Sequence, residues 1–262
     1  MHKNLTVMRE SIASGLNPDI RSKSKMAGGN AYKLYKALQD GIIEDTIYTR
    51  AAAYAIAVTE TNACMGRIVA APTAGSSGIL PGVLIAVAEK KNIDDEKIID
   101  ALFVAGEIGI QIAKGATLSG AEGGCQAECG SAAAMAAAGM VHLLDGDEQQ
   151  CQNAAALAIK SSMGLVCDPV CGLVEVPCIK RNANSSSIAI TSANMALSGI
   201  KSVIPLNEVI TAMKNVSRDL PSSLKETSQG GVADTKTAKE IERNIDFKNE
   251  NISGNTLMDR GI

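Results

Sequence analysis

The chain has 262 residues, a mass of 27.1 kDa and a formal net charge of −3. That length suits one large domain or two small ones, with a substantial core. A weakly acidic chain without a basic region is a poor partner for nucleic acid or an anionic membrane, and we expect neither. Apolar residues make up 46% but aromatic residues only 2%. Leu, Ile, Val, Met and Ala must therefore fill the core, which favours closely packed helices.

The N-terminus and the cysteines indicate the compartment. Met1–Glu10 is charged and lacks the continuous apolar run of a signal peptide. No apolar stretch reaches the roughly 20 residues of a membrane span. We therefore predict a cytoplasmic protein. In that reducing compartment, the seven cysteines favour metal binding or catalysis over disulfide bonds.

Nearly all the predicted elements are helices. An amphipathic stretch opens the chain and is closed by the turn residues Asn17, Pro18 and Asp19. The clearest helix has Asp94 as a candidate N-cap, followed by apolar residues at three- and four-residue steps. Helices are predicted, in chain order, at Asp45–Ala63, from near Pro81, and at Asp94–Lys114, Gly130–Leu144, Glu148–Met163, Ser186–Ile200 and Asn207–Val216.

Only Arg67–Ala71 and Leu173–Val176 predict short strands. The fold class is therefore all-α: one Ala-rich helical domain over residues 1–243, followed by a polar, loose tail over residues 244–262. The Gly- and Pro-rich pieces lie between helices, at Ala71–Gly82, Ala121–Gly124 and Cys167–Pro177. Such loops let the backbone approach a ligand, so we expect the chemistry there.

Two cysteine pairs are the first chemical signal. Cys125 and Cys129 are four residues apart, as are Cys167 and Cys171, so each pair would share a face of a helix. The spacing alone permits a four-cysteine zinc site, although the short C-x2-C step typical of structural zinc is missing. It equally permits buried, unreactive thiols.

The loop Thr73–Gly78 is the second signal. It presents hydroxyl groups and flexible backbone just before a predicted helix, an arrangement suited to a carboxylate or phosphate. No Gly-Lys-Ser/Thr sequence follows, so it is not a P-loop. An ordinary turn that caps the helix is the alternative.

Three segments together resemble a known family. GAEGGCQAEC, GLVCDPVCGLVEVPCIKRNA and APTAGSSGILPG are similar to the α chain of the iron–sulfur-dependent L-serine dehydratases, over roughly Arg21 to Val232. The resemblance implies a [4Fe-4S] cluster held by Cys125, Cys167 and Cys178. An iron with no protein ligand would then be open to substrate. Cys129 and Cys171 stand where relatives usually carry small residues without a thiol, and we take both as non-ligands.

The resemblance also implies the reaction, which converts L-serine to pyruvate and ammonia. The open iron would bind the serine hydroxyl and act as a Lewis acid on the departing hydroxide. The expected substrate-binding residues are Thr73, Gly75, Ser76, Ser77, Arg181 and Asn182. Arg181 suits a carboxylate because its guanidinium is planar, but it could instead balance the charge of the cluster. His142, in an apolar helix, is expected to be a core residue, so the sequence shows no general base.

Relatives of this kind work with a separate β chain, so we expect a heteromer. Two other classes stay open. A pyridoxal phosphate lyase would use TAGSSG to hold the phosphate, although no lysine stands in a recognisable context for the cofactor. A metal-binding subunit without activity of its own would support a catalytic partner.

Overall fold

The structure is a computed structural model that describes residues 1–245. No β-strand occurs in these residues, and a single isolated bridge pairs Cys167 with Lys225. The predicted all-α class is therefore confirmed. The described helices are α1 (His2–Gly15), α2 (Asn30–Gln39), α3 (Ile47–Ala63), α4 (Ile79–Lys91), α5 (Asp95–Gly115), α6 (Gly120–Gly123), α7 (Ser131–Leu143), α8 (Glu148–Ser162), α9 (Cys178–Leu197), α10 (Leu206–Asp219) and α11 (Lys236–Asn244).

Side-chain caps fix where several helices begin. Asp94 accepts a hydrogen bond from the Lys97 amide at 3.0 Å and starts α5, as predicted. Asp147 and Gln150 form a capping box at the start of α8. Because each cap satisfies a backbone N–H that has no partner inside the helix, these starts are encoded locally.

Helix α7 is the centre of the core. Its alanines from Ala132 to Ala138 are fully buried, and only Met135 in that run retains slight exposure. The helix packs against α4, α5, α8 and α9, while α3 packs against α1, α2, α4 and α9. Alanine side chains are small enough for helices to approach on every side, which explains a core with so few aromatic residues.

The two predicted strands are wrong. Arg67–Ala71 has no regular secondary structure and pairs with no other segment of the described chain, and Leu173–Val176 folds back on itself. In the second case the Val170 amide donates to the Val176 carbonyl at 2.8 Å. Local turn bonds therefore replace the ladder that the apolar residues suggested.

Helix α9 begins at Cys178 rather than at the predicted Ser186. Its first turns are polar and carry no apolar period, yet Asn182, Ser185 and Ser186 are buried. Helices α2, α6 and α11 were not predicted, and α6 occupies most of the segment Ala121–Gly124 that was expected to be a loop. Most of the tail predicted over residues 244–262 lies outside the described residues.

Within residues 1–245, no helix combines the length and the hydropathy of a membrane-spanning segment.

Candidate functional site

Cys125 and Cys167 are brought together by the turn that precedes α7. Cys125 lies just before a π-helical turn at Gln126–Gly130. The Gln126 amide donates to the Leu165 carbonyl at 2.9 Å, and its side-chain oxygen accepts from the Gly164 amide at 2.8 Å. Gln126 is fully buried. Gln126 thus ties the turn to the loop that carries Cys167, through both its backbone and its side chain.

A second segment holds Cys167 from the other side. The Cys167 amide donates to the Leu224 carbonyl at 2.9 Å, and the Glu226 amide donates to the Cys167 carbonyl at 2.7 Å. These two bonds form the isolated bridge between Cys167 and Lys225. The segment around Glu226, which sequence reasoning did not assign to the site, therefore borders the thiols.

Three ligand atoms converge at this point. The sulfurs of Cys125 and Cys167 and a carboxylate oxygen of Glu128 all lie within 4.8 Å of one another. Cys178, at the first turn of α9, is buried but its sulfur is not part of this group. Glu128 was missed by the sequence analysis. The available signal was its place three residues after Cys125, about one helical turn away.

The remaining cysteines occupy different surroundings. Cys129 is buried directly beside Cys125, whereas Cys171 is partly exposed near Glu242 and Glu175. Cys151 is buried on α8, and Cys64 is half-buried at the end of α3. The four-cysteine arrangement that the two pairs permitted is not formed within the described residues, because Cys171 lies outside the convergent group.

Electrostatics single out Cys125. Hydrogen bonds from the thiols of Cys129 and Cys167, together with the nearby Arg181 guanidinium, lower the pKa of Cys125 well below its usual range. The hydrogen bond to Cys125 raises the pKa of Cys167, and burial raises that of Cys178. These surroundings thus favour the thiolate form of Cys125, which is the form that binds metal.

Arg181 is oriented by three contacts. It forms an ion pair with the buried Asp168 at 2.7 Å, donates to the Val166 carbonyl at 2.8 Å and reaches the Cys125 sulfur at 3.7 Å. Of its two expected roles, this geometry favours the balancing of thiolate charge, because the guanidinium is already engaged with a carboxylate and a sulfur.

Glu128 and Glu226 are the two carboxyl groups beside the thiols. Burial and the neighbouring Cys125 raise the pKa of Glu128 to about 7, and the same two causes raise that of Glu226. Thr73 donates a hydrogen bond to one oxygen of Glu128 at 2.5 Å. Within residues 1–245, the Glu226 carboxylate has neither a hydrogen bond nor an ion pair. The raised pKa values mean that both groups hold a proton more readily than usual, and a cation bound beside them would favour their ionised form.

Two glycines leave room for these carboxylates. A methyl group added at Gly120 would lie 3.1 Å from the Cys167 sulfur, 3.3 Å from Glu128 and 3.6 Å from Glu226. One added at Gly75 would lie 2.5 Å from Glu128. The thiol and the two carboxylates therefore surround a common space over Gly120.

The hydroxyl loop sits against α9 through Asn182. The Asn182 amide donates to the carbonyls of Gly75 at 2.7 Å and Cys178 at 3.0 Å, and its oxygen accepts from the Gly78 amide at 3.1 Å. Asn182 is fully buried. Its hydrogen-bonding capacity is thus used to join the loop to the first turn of α9, which makes it a positioning residue in this structure.

The loop hydroxyls differ in what they contact. Thr73 bonds to Glu128 and to the Ser76 hydroxyl, 2.9 Å away. Ser76 and Ser77 are fully buried, and the Ser77 oxygen has no hydrogen-bond partner in the described chain. Buried hydroxyls normally find a partner, so Ser77 is the hydroxyl of this loop whose hydrogen-bonding capacity is unused within residues 1–245.

The segment Ser22–Lys33, part of the resemblance, folds around two buried carboxylates. Ser22 and Ser24 donate to Glu175, at 2.7 Å each, while the amides of Gly28 and Ala31 donate to Glu60. Glu175 lies three residues before Cys178. The segment thereby supports the loop that leads to α9.

His142 lies elsewhere. It lines a cavity of about 260 Å³ between α5, α7 and α8 together with Cys151 and Glu107. It shares no contact with the convergent thiols, so the structure supplies no base from this histidine.

The donor set fits an iron–sulfur cluster. All seven cysteines are free thiols, and Cys125, Cys167 and Cys178 are each no more than 6% exposed. Clusters of this kind are held by buried cysteine thiolates. Typical catalytic zinc sites include at least one histidine, whereas His142 lines a separate cavity and His2 lies near Glu96.

Comparison with known proteins defines the class. A family model described as the serine dehydratase alpha chain matches residues 1–233. The chain belongs to this family, as the resemblance predicted.

Individual relatives agree. The chain is 47% identical over 246 residues to the probable L-serine dehydratase alpha chain of Bacillus subtilis, covering 94% of this chain and 82% of the relative. It is 45% identical over 243 residues to the L-serine dehydratase alpha chain of Peptoniphilus asaccharolyticus, covering 92% and 83%. It is 43% identical over 182 residues to the L-serine dehydratase of Streptomyces coelicolor, covering 69% of this chain but 40% of that relative.

Proposed function

We propose that this chain is the α subunit of an iron–sulfur L-serine dehydratase, a cytoplasmic lyase that converts L-serine to pyruvate and ammonia. The observation that carries the proposal is the convergence of the buried thiols of Cys125 and Cys167 with Glu128, beside Cys178 and Arg181. The names of the relatives support the substrate.

Cys125, Cys167 and Cys178 are the residues that would hold a [4Fe-4S] cluster. Bound there, the cluster would supply a Lewis acid for the departing hydroxide of the substrate. Arg181 would reduce the negative charge of the thiolates, because its guanidinium already reaches the Cys125 sulfur at 3.7 Å. Cys129, although it lies beside Cys125, is proposed as a second thiol that hydrogen-bonds the ligand sulfur rather than as a ligand.

The protein's own groups would recognise the ends of the substrate. The carboxylates of Glu128 and Glu226 border the space over Gly120 and provide negative charge for the substrate ammonium group. Ser77, whose hydroxyl has no partner among residues 1–245, is proposed to donate to the substrate carboxylate, with Thr73, Gly75 and Ser76 shaping the loop. Asn182 holds that loop at a fixed distance from Cys178. In this orientation the substrate loses its α-proton and its hydroxide, and the resulting aminoacrylate hydrolyses to pyruvate and ammonia.

A separate β chain is proposed as the partner. The alpha-chain names of the relatives imply such a subunit.

Anaerobic metal analysis tests the proposal. Protein prepared without oxygen should contain about four iron and four sulfide per chain and should turn over L-serine when the β chain is present. Cys167→Ala should lose both the cluster and the activity. Cys171→Ala is the matched control, because its thiol lies outside the convergent group, and it should keep both.

Two results would refute the proposal. Zinc without iron in the anaerobic protein would show a different metal site. Borohydride traps a pyridoxal Schiff base, and we expect the enzyme to keep full turnover after this treatment. Loss of activity would instead favour the pyridoxal phosphate alternative.

A further inference from the structure

A second cavity shares no lining residue with the convergent group of Cys125, Glu128 and Cys167. It has a volume of about 360 Å³ and is formed by the end of α5, the segment leading to α6, the last turns of α10, and Lys225. We call it the basic cavity and define it by its main lining residues: Lys114, Thr117, Lys214, Ser217, Arg218 and Lys225.

The basic cavity gathers positive charge in a chain that is acidic overall. Four cationic side chains line it, against the single carboxylate of Glu122, whereas the whole chain has a net charge of −3. None of the four cations has a carboxylate within ion-pair distance among residues 1–245; Arg218 bonds only to the neutral side chain of Asn215. Like charges held around one concavity repel each other, and a bound anion relieves that repulsion.

Helix ends explain only part of this charge. Lys114 lies in the last turn of α5 and Arg218 in the last turn of α10, where a cation is favourable next to the helix carbonyls. Lys214 lies a turn further from the end of α10, and Lys225 is in no helix. The favourable interaction of a cation with a helix C-terminus therefore does not explain why these two lysines line the cavity.

The floor of the cavity is joined to the cysteine loops. Ser217 is buried and accepts a hydrogen bond from the Gln126 side chain at 3.0 Å, next to Cys125. Lys225 is the residue bridged to Cys167, since its neighbours Leu224 and Glu226 make the two hydrogen bonds to the Cys167 backbone. An anion that fixes the Lys225 side chain would therefore also fix the strand-like pairing at Cys167.

We propose that the basic cavity binds a small polyanion, one that carries two or more negative charges on phosphate or carboxylate groups. A cavity of this size accommodates a compact metabolite. Occupancy steadies the segment that holds Cys167 and so couples ligand binding to the cysteine site. The binding itself does not depend on the proposed enzymatic function.

Calorimetric titration of the full-length chain tests the proposal, with pyrophosphate and citrate as probes at constant ionic strength. We expect saturable binding of at least one probe, and the tighter one assigns phosphate or carboxylate as the preferred group. The double variant Lys214→Gln/Lys225→Gln should bind at least about tenfold more weakly, because it loses two charge-assisted contacts. The control Lys91→Gln/Lys201→Gln removes the same charge at exposed lysines away from the cavity and should bind like the wild type.

Hydrogen exchange supplies the second measurement. The bound probe should slow exchange of the Cys167 and Glu226 amides, which are the donors of the bridge. Equal affinity in the two double variants would overturn the proposal, as would the absence of saturable binding by the wild type. A cavity variant that retains probe affinity but fails to assemble with a β chain would also overturn it, since the cavity would then be a docking surface.

Discussion

The first prediction tests whether Asn182 binds the substrate or holds other parts of the site in position. Its side chain makes three hydrogen bonds in a fully buried position, to Gly75, Gly78 and Cys178. In Asn182→Ala, the Gly75 carbonyl and the Gly78 amide lose their partner in a place that water does not reach. Each buried backbone group left without a partner costs about 1–3 kcal/mol, so unfolding should become easier by about 2–6 kcal/mol.

Thermal unfolding of the metal-free protein, followed by circular dichroism, measures this effect. For a chain of this size, each kcal/mol corresponds to a shift of about 2–4 °C, so the transition should fall by roughly 4–24 °C. Asn184→Ala is the matched control, because Asn184 is exposed on the same helix, and its change should stay within about 0.5 kcal/mol.

The kinetic constants supply the refutation. If Asn182→Ala unfolds like the wild type but raises KM for L-serine, Asn182 binds substrate directly and the positioning role argued from its three bonds is wrong.

Two further predictions concern the same site. Ser77→Ala should raise KM for L-serine by about tenfold or more, since one donor to a charged group contributes about 1.5–3 kcal/mol, and it should not lower stability, because the hydroxyl has no partner to lose. Ser192→Ala removes another buried hydroxyl without a partner and should leave KM unchanged. The same KM in both variants would contradict the assignment of Ser77. Gly120→Ala should reduce the iron bound after anaerobic reconstitution, because the added methyl group occupies the space between the thiol and the two carboxylates. Gly106→Ala meets nothing within 4 Å and should load iron normally, so full loading of both glycine variants would show that this space is not needed.

Much of the fold follows from local sequence. Asp94 and Asp147 mark the starts of α5 and α8, because a capping side chain and the helix it caps are neighbours in sequence. The alanine content and the lack of aromatic residues correctly indicated a helical core, which α7 now forms. The family resemblance was likewise carried by short motifs, and the family model confirms it.

The beginning of α9 shows where local pattern fails. Most residues after Cys178 are polar, and Asn182 among them bonds to a loop about a hundred positions earlier in the chain. The apolar run at Leu173–Val176 misled in the opposite direction, since β-structure needs a partner strand and the described chain provides none. Both errors arise because tertiary contacts override local preference.

Some features of the site could likewise be predicted from local sequence, and others depend on tertiary contacts. The helical class, the family and the cysteine motifs could all be predicted from the sequence, because each depends on residues close together in the chain. The packed fold was needed to show that Glu128 and Glu226 face the thiols, that Arg181 is engaged with Asp168 and Cys125, and that Asn182 joins the hydroxyl loop to α9. Those contacts connect segments far apart in sequence, and their energies depend on burial, which arises only when the helices have packed together.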